Sequence, residues 1–390
     1  MKALHFGAGN IGLGFIGKTL SESNFDVIFS DINQDIINRI NHHKNYFVRI
    51  VGKNKDKIFN IKNVIGVGFN DPDIVKTITL VDLITTSSGV SSLNKIASVI
   101  SEGIILKCNM KSIKPLNIIA CENKMKASSI LKKMVLDTLP EKYYTYFKKY
   151  IGFVDCSIDT IIPYKKNQKK SSILIIAEDF QEWIVNITQF KGKIPKITNM
   201  KLSKNLDSLI ERKLFTLNTG HAIAAYLGLI KTYQTVNEAI LDKTIRFIVK
   251  SAMKESGNFL IKHYNFNVHD HFSYIDKIFF RFENPFLLDN LTRIARNPLQ
   301  KLHKEERLVK PLLGCIQYGL SYGNLAKGIA AAFHYYNKND LESLKISDFI
   351  KNQGIQKTLS NICGVSENSE EAHLIISEYN SILINRSIII

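Results

Sequence analysis

The stretch ERKLFTLNTGHAIAAYLG in the second half of the chain holds a lysine, an asparagine and a histidine in the spacing K-x4-N-x2-H. These are Lys213, Asn218 and His221, and at about 100° per residue they line one broad face of a helix. Oxidation of a secondary alcohol needs a base for the hydroxyl proton while hydride leaves the carbon. A lysine desolvated beside other cations can be that base, and an asparagine amide can donate to the developing alkoxide. The spacing alone also fits a solvated lysine and a core histidine.

A glycine lies inside this predicted helix, between the asparagine and the histidine. Glycine at such a position costs about 1 kcal/mol relative to alanine. We therefore expect that something approaches the backbone closely at Gly220, and a nicotinamide ring or a substrate is the expected group.

The N-terminal stretch MKALHFGAGNIGLGFIG predicts a strand, a glycine turn and a helix. Gly7 allows the tight turn, Gly9 lets the backbone approach a pyrophosphate, and Gly12 lets helix and strand pack closely. A second apolar run, Phe25–Phe29, leads to Asp31. A carboxylate there accepts the ribose hydroxyls and disfavours a 2′-phosphate, so the expected cofactor is NAD rather than NADP.

The predicted cofactor-binding residues belong to the first strand, the glycine turn and two later strand ends. They are Ala3, Leu4, His5, Phe6, Gly7, Ala8, Gly9, Asn10, Ile11, Gly12, Asp31, Thr85 and Thr86. Thr85 and Thr86 are included because ligands of parallel sheets lie at the carboxyl ends of the strands.

Short apolar runs alternate with helical patterns in the first half of the chain, including Thr79–Ser88, Asn117–Asn123 and the strand-like run 151–163. Helical patterns dominate afterwards, at Lys204–Leu227, Leu241–His263 and Leu308–Tyr335. The expected fold is an α/β N-terminal Rossmann-type dinucleotide-binding domain followed by a mostly α-helical domain. The change of period places the boundary near residue 195, giving domains 1–195 and 196–390.

Composition narrows the function classes. Hydrophobic residues make up 45% and charged residues 22% of the 390 positions, as in soluble globular proteins. No apolar run approaches the roughly 20 residues needed to span a bilayer, and the N-terminus is not expected to be a signal peptide, so a cytoplasmic protein without membrane contact is expected. Five cysteines without C-x-x-C spacing indicate reduced thiols and no metal site. The net charge of +17 comes from scattered lysines, including a basic loop at Lys165–Lys170, which favours a solvated surface over nucleic-acid binding.

Four motifs together resemble the polyol-specific long-chain dehydrogenases of the mannitol dehydrogenase family. They are the GAGNIG start, ACEN, the K-x4-N-x2-H helix and RFENPFLLDNLTRIARNPLQKL, and the resemblance extends over essentially the whole chain. The resemblance implies an enzyme of the branch with phosphorylated substrates, which interconverts D-mannitol 1-phosphate and D-fructose 6-phosphate with NAD. Members of the family can be monomeric, and a monomer is expected.

The resemblance also implies residue roles. Lys213 is the implied general base, and Asn218 and Asn123 form an oxyanion clamp. The implied substrate contacts are His221, Asp159, Arg293, Lys301 and, as the phosphate ligand, Arg296. An arginine fork suits phosphate because it can donate two parallel hydrogen bonds.

Three positions depart from the family pattern. Leu13 and Thr160 replace arginines, and Gln300 replaces a basic residue. Loss of a cation at Leu13 is expected to weaken NAD binding, and the other two changes bear on phosphate selectivity.

Two other functions remain open from the sequence. One is a related NAD-dependent reductase of an unphosphorylated polyol or sugar acid. The other is a non-catalytic protein that binds NAD or nucleic acid, which the +17 charge would favour. The set of Lys213, Asn218 and His221 argues against the second, because a binding module needs no proton acceptor.

Overall fold

The structure is a computed structural model that describes residues 1–52, 55–162 and 172–387. It divides into two compact units, Met1–Leu209 and Ile210–Ile390. The boundary predicted near residue 195 stays a prediction. The basic loop at Lys165–Lys170 lies outside the described residues.

Strands are confined to the first unit within the described ranges. Their bounds are β1 Lys2–Phe6, β2 Asp26–Asp31, β3 Asn45–Gly52, β4 Lys55–Lys62, β5 Val64–Gly68, β6 Leu83–Thr86, β7 Leu116–Ala120, β8 Ile151–Phe153, β9 Cys156–Asp159, β10 Leu174–Glu178, β11 Glu182–Asn186 and β12 Met200–Ser203.

The main sheet of the first unit has the strand order β5-β2-β1-β6-β7-β8, and every pairing in it is parallel. This is the order of a doubly wound dinucleotide-binding sheet, with β3 and β4 diverted into a separate sheet beside β10. A third small sheet has the order β12-β11-β9. The order in which successive strands are added reverses between β1 and β6, so the ligand crevice of such folds is expected at the carboxyl ends of these strands.

Helices occur in both units. The α-helices are α1 Lys18–Glu22, α2 Gln34–His43, α3 Asp73–Leu80, α4 Leu93–Asn109, α5 Ala127–Thr138, α6 Tyr144–Tyr150, α7 Leu206–Lys213, α8 Thr219–Ile230, α9 Val236–Leu241, α10 Lys243–Tyr264, α11 Val268–Phe282, α12 Leu291–Ala295, α13 Pro298–Lys301, α14 Val309–Gln317, α15 Gly323–Phe333, α16 Leu341–Cys363 and α17 Glu370–Ser387. Gly12–Gly17 and Leu214–Asn218 are π-helical.

Side-chain alternation builds two apolar cores, one on each face of the main sheet. Ala3 of β1 belongs to one core, and Leu4 and Phe6 belong to the other. In the helical unit, α8, α10 and α15 pack against one another around small and apolar side chains such as Ala224 and Ile329. Burial on both sheet faces explains why the parallel strands read as continuous apolar runs.

Several predicted elements are shorter or divided in the structure. The strand predicted at Thr79–Ser88 is limited to β6, because Thr79 and Leu80 end helix α3. The run 151–163 forms β8 and β9, which belong to different sheets. The long helix predicted at Leu308–Tyr335 is two helices, α14 and α15. Gly319 lies in the intervening turn at φ +63°, a backbone conformation that ends a helix.

Within the described ranges, none of the helices has the length and apolarity required to cross a bilayer.

Candidate active site

The glycine turn of the first unit follows β1 directly. Gly7 has φ +107°, and a Cβ atom there would lie 2.8 Å from the carbonyl carbon of Ser87. A Cβ at Gly12 would lie 1.9 Å from the carbonyl oxygen of Gly7. A Cβ at Gly9, in contrast, would have no neighbouring atom within 4 Å. Gly7 and Gly12 therefore serve internal packing, and Gly9 leaves the space through which a phosphate can approach the backbone.

Most of the residues predicted around this turn are inside the protein. Ala3, Leu4, His5 and Phe6 are buried in β1, and Gly7, Ala8 and Gly12 are buried in the turn. Gly9 is exposed, and Asn10 and Ile11 are partly exposed. The three residues that reach the surface are the ones able to touch a ligand, while the others shape the turn.

Asp31 ends β2 beside the glycine turn. Its Oδ2 accepts a hydrogen bond from the backbone N–H of Ala8 at 2.6 Å, and its Oδ1 accepts one from Asn33 at 2.8 Å. Each carboxylate oxygen has a second lone pair, so both oxygens can still accept a ribose hydroxyl. The carboxylate is thus held against the turn, as NAD recognition in this fold requires.

His5 lies beneath the turn and is completely buried. One ring nitrogen is 2.6 Å from Thr85 Oγ1 and the other is 2.8 Å from Ser87 Oγ. Burial lowers the pKa of His5 to about 3, against a smaller opposing effect of the bond to the Gly7 backbone. The ring is therefore neutral and joins the ends of β1 and β6.

Glu122, which follows β7 and was expected on the cofactor side of the sheet, is a positioning group. Its carboxylate accepts hydrogen bonds from Thr86 Oγ1 at 2.8 Å and from the backbone N–H groups of Ser88 and Gly89 at 3.0 Å. It thereby ties the loop after β6 to the end of β7, where the exposed Asn123 follows. The hydroxyls of the buried Thr85 and Thr86 are used within this network, so a cofactor contact there would not use a free hydroxyl.

Two further positions that the sequence analysis named in this unit are both buried. Asp159 is buried at the end of β9, in register with Glu182 of β11. Leu13 is also buried, in the apolar core, and its carbonyl oxygen accepts a hydrogen bond from Tyr46 Oη at 2.8 Å. The Leu13 side chain is a packing group here, so its placement does not support the expected effect on phosphate binding.

The Lys213 segment of the helical unit is not a regular α-helix. Lys213 ends α7, the residues up to Asn218 form a π-helix, and α8 begins at the next residue. A π-helix closes its hydrogen bonds over five residues instead of four, so each residue turns through less than about 100°. Residues five apart then come closer to one face than in the uninterrupted α-helix that the sequence predicted. Lys213, Asn218 and His221 are all partly exposed, whereas Phe215, Thr216, Leu217, Thr219 and Gly220 are buried.

The interpretation of Gly220 as a point of ligand approach is wrong. A Cβ atom at Gly220 would lie 2.5 Å from the sulfur of Met253 on α10. The glycine is needed because α8 and α10 pack closely here, in the interior of the helical unit.

His221 and Arg293 meet at a residue that the sequence did not predict, Asp289. His221 Nε2 lies 3.0 Å from Asp289 Oδ2. Arg293 Nε donates to Asp289 Oδ1 at 3.1 Å, and its Nη2 pairs with the same oxygen. The imidazole also stacks on Phe282, with ring centroids 5.2 Å apart and planes 22° apart. No local pattern could reveal Asp289, because it and His221 come from distant parts of the chain.

Arg296 lies at the corner between α12 and α13, and Lys301 ends α13 with its ammonium group at that corner. Arg296 is exposed, and Lys301 is buried with its ammonium donating to the carbonyl oxygen of Arg296. Burial, followed by the nearby Arg307, lowers the pKa of Lys301 to about 8. Gln300 is exposed, and its backbone N–H donates to Glu342 at 3.1 Å.

Sequence models of two adjoining domains account for nearly the whole chain. The mannitol dehydrogenase Rossmann domain matches residues 1–199, and the mannitol dehydrogenase C-terminal domain matches residues 205–383. The chain belongs to the mannitol dehydrogenase family. This confirms the expected fold class and the resemblance seen in the sequence.

Family members of high identity include two proteins named mannitol-1-phosphate 5-dehydrogenase. One, from Buchnera aphidicola subsp. Acyrthosiphon pisum (strain Tuc7), is 63% identical over 382 residues, which cover 98% of this chain and 99% of the relative. The other, from Buchnera aphidicola subsp. Schizaphis graminum (strain Sg), is 57% identical over 384 residues, with the same coverage.

Solved structures of the same fold share much less sequence. The ternary complex of Pseudomonas fluorescens mannitol 2-dehydrogenase with NAD and D-mannitol has a TM-score of 0.78 at 14% identity, covering 99% of this chain and 92% of that one. A D-sorbitol dehydrogenase in substrate-free form has a TM-score of 0.80 at 13% identity, covering 98% and 92%. At these identities the likeness concerns the mannitol dehydrogenase fold alone.

Proposed function

We propose that this chain interconverts D-mannitol 1-phosphate and D-fructose 6-phosphate with NAD as the hydride acceptor. The observation that carries the proposal is 63% identity, over 98% of the chain, to a protein named mannitol-1-phosphate 5-dehydrogenase. The glycine turn fits NAD, because Gly9 is open to solvent and the Asp31 carboxylate is fixed beside it. Bound NAD would take the hydride from the alcohol carbon.

In the proposed reaction, Lys213 takes the hydroxyl proton of the alcohol. Asn218 and Asn123 donate hydrogen bonds to the oxygen that becomes the carbonyl, and His221 and Asp159 bind hydroxyls of the sugar chain. These donors and acceptors suit an oxygen that gains negative charge as its proton leaves. The partly exposed positions of Lys213, Asn218 and His221 support this assignment.

Charge pairing favours Arg296 as the phosphate ligand. Arg293 is already neutralised by Asp289, whereas Arg296 is exposed and has no carboxylate partner within the described ranges. Lys301 donates to the backbone of Arg296 and adds positive charge at the same corner. We propose that Arg296 binds the phosphate, while Arg293 and Lys301 bind and orient the sugar end.

The remaining predictions from the sequence are proposals as well. We propose that residues 1–195 bind NAD and residues 196–390 bind the sugar phosphate. We also propose a cytoplasmic monomer that does not bind nucleic acid, despite the net charge of +17.

The first test follows NADH absorbance of the purified protein with fructose 6-phosphate or fructose. We expect turnover with the phosphate and little with fructose. Arg296→Gln should lower kcat/KM for fructose 6-phosphate steeply, and the exposed neighbour Lys304→Gln is the matched control. Equal turnover of both sugars would contradict the proposed substrate, and an indifferent Arg296 would remove the argument for its phosphate contact.

A further inference from the structure

Asp289 is a buried carboxylate between two proposed substrate ligands. Its side chain is 4% exposed, whereas that of Arg293 is 51% exposed and that of His221 is 13% exposed. One oxygen, Oδ1, is used by Arg293, and the other, Oδ2, faces His221 at 3.0 Å. The two oxygens of the Asp289 carboxylate therefore contact two different side chains.

Among the described residues, His221 Nε2 and Asp289 Oδ2 have each other as their polar contact. Neither His221 Nε2 nor Asp289 Oδ2 has a hydrogen-bond partner elsewhere in the described part of the chain. Their separation is short, although the ring N–H is not aligned with the oxygen well enough for a regular hydrogen bond. Buried polar atoms almost always find a partner, so a small rotation of the imidazole toward Asp289 is favoured.

Asp289 keeps its charge over the whole working range of pH. Burial by itself would raise the pKa of Asp289, but His221 and Arg293 outweigh burial and lower the pKa to about 2. An ionised carboxylate only accepts hydrogen bonds. A neutral His221 must then carry its proton on Nε2, which leaves Nδ1 as the acceptor.

We propose that Asp289 is a positioning residue that fixes the Nε2–H form of His221 and holds His221 and Arg293 in one arrangement. His221 Nδ1 then accepts a hydrogen bond from a hydroxyl of the polyol chain, and the exposed part of Arg293 donates to its oxygens. The contact of His221 and Arg293 with a polyol rests on the proposed function, which supplies the identity of the substrate. The pairing of these two side chains with Asp289 is independent of the proposed function.

Substitution of Asp289→Asn keeps the size of the side chain and removes its charge. We expect KM for fructose 6-phosphate to rise about 10- to 100-fold, because an amide cannot accept from both neighbours equally well. The change in kcat should be smaller, and NADH binding should be unchanged. Asp276→Asn is the control, since that carboxylate is 64% exposed on the neighbouring α11.

A second measurement separates positioning from a purely structural role. In the double variant His221→Ala/Arg293→Ala, we expect Asp289→Asn to change kcat/KM less than about twofold, because both of its targets are gone. An undiminished loss in that background would overturn the proposal.

A third measurement does not depend on activity or on a variant at Asp289. Nitrogen-15 NMR of histidine-labelled protein reports which ring nitrogen is protonated, and His221→Ala assigns the signal. We expect the Nε2–H form in the wild type. The Nδ1–H form would overturn the positioning role even in an active enzyme. An Nε2–H signal in a protein without fructose 6-phosphate turnover would instead refute the proposed function and support the pairing.

Discussion

The two units prepare their sites by different physical means. In the first unit the ligand-facing surface is mainly backbone, shaped by Gly7 and Gly12 and held from beneath by the neutral His5. In the helical unit the candidate site consists of charged side chains, in which Asp289 and Lys301 are buried. A turn of backbone suits a pyrophosphate that is common to many enzymes, whereas recognition of one sugar phosphate requires particular charges at particular positions. Substitutions should therefore impair the first unit for steric reasons and the helical unit for electrostatic reasons.

Lys213→Ala in the helical unit should impair the enzyme most. Loss of the proposed base should lower kcat by about 10²- to 10⁴-fold, because proton removal then falls to water. NADH binding, followed by fluorescence titration, should be retained. Lys262→Ala, at an exposed lysine of α10, is the control. Unchanged turnover in the Lys213 variant would eliminate this residue as the base.

In the glycine turn, Gly12→Ala should lower the stability of the protein, whereas Gly9→Ala should lower its affinity for NADH. A methyl group at Gly12 would collide with the Gly7 carbonyl, so we expect a loss of about 2–3 kcal/mol in the free energy of unfolding. A methyl group at Gly9 meets no atom, so stability should change by less than about 0.5 kcal/mol. The NADH dissociation constant of Gly9→Ala should nevertheless rise about tenfold or more, since the methyl occupies the open side of the turn.

Urea unfolding monitored at Trp183 measures the stability part of this comparison. Trp183 is the one tryptophan of the chain and is buried in the first unit. If Gly9→Ala binds NADH as the wild type does, the open side of Gly9 is not the phosphate site.

The same contrast explains what the sequence could predict. The strand, glycine turn and Asp31 lie within a short stretch, and each glycine has a specific steric reason to be there. The dinucleotide-binding turn can therefore be predicted from the sequence. Glu122 and Asp289 act on groups that are distant in sequence, and only the fold brings them together. The interpretation of Gly220 as a point of ligand approach is wrong for a related reason. Its neighbour Met253 comes from another helix, and a packing glycine looks the same in sequence as a ligand-binding one.

In the helical unit, the buried charge of Lys301 is expected to lower stability while it contributes to substrate binding. Its pKa is lowered by burial to about 8, so the unfolded chain binds more protons than the folded chain between about pH 8 and the usual lysine pKa of about 10.5. Stability attributable to Lys301 therefore rises with pH over that range, and at pH 7 its charge is destabilising.

We accordingly expect Lys301→Met to raise the free energy of unfolding at pH 7 by about 1–2 kcal/mol, after allowance for the lost hydrogen bond to Arg296. The preference for fructose 6-phosphate should fall in the same variant. Urea unfolding followed by circular dichroism, with Lys304→Met as the exposed control, tests this. A less stable Lys301→Met would mean that the hydrogen bond outweighs the buried charge.

At His5, the neutral group beneath the glycine turn, we expect a change in the pH dependence of stability. Its pKa is lowered from 6.5 to about 3, so below pH 6.5 the unfolded chain binds a proton that the folded chain does not. Stability of the first unit should fall with decreasing pH, approaching about 1.4 kcal/mol per pH unit from this group, until the pH reaches about 3. In His5→Asn the decline between pH 6.5 and 4.5, followed at Trp183, should be shallower than in the wild type. His269→Asn, at a histidine that is 93% exposed, should leave the decline unchanged. Equal slopes in His5→Asn and the wild type would show that the buried ring accepts a proton in the folded state. The first unit would then carry a charge beneath its turn, and the contrast with the helical unit would be lost.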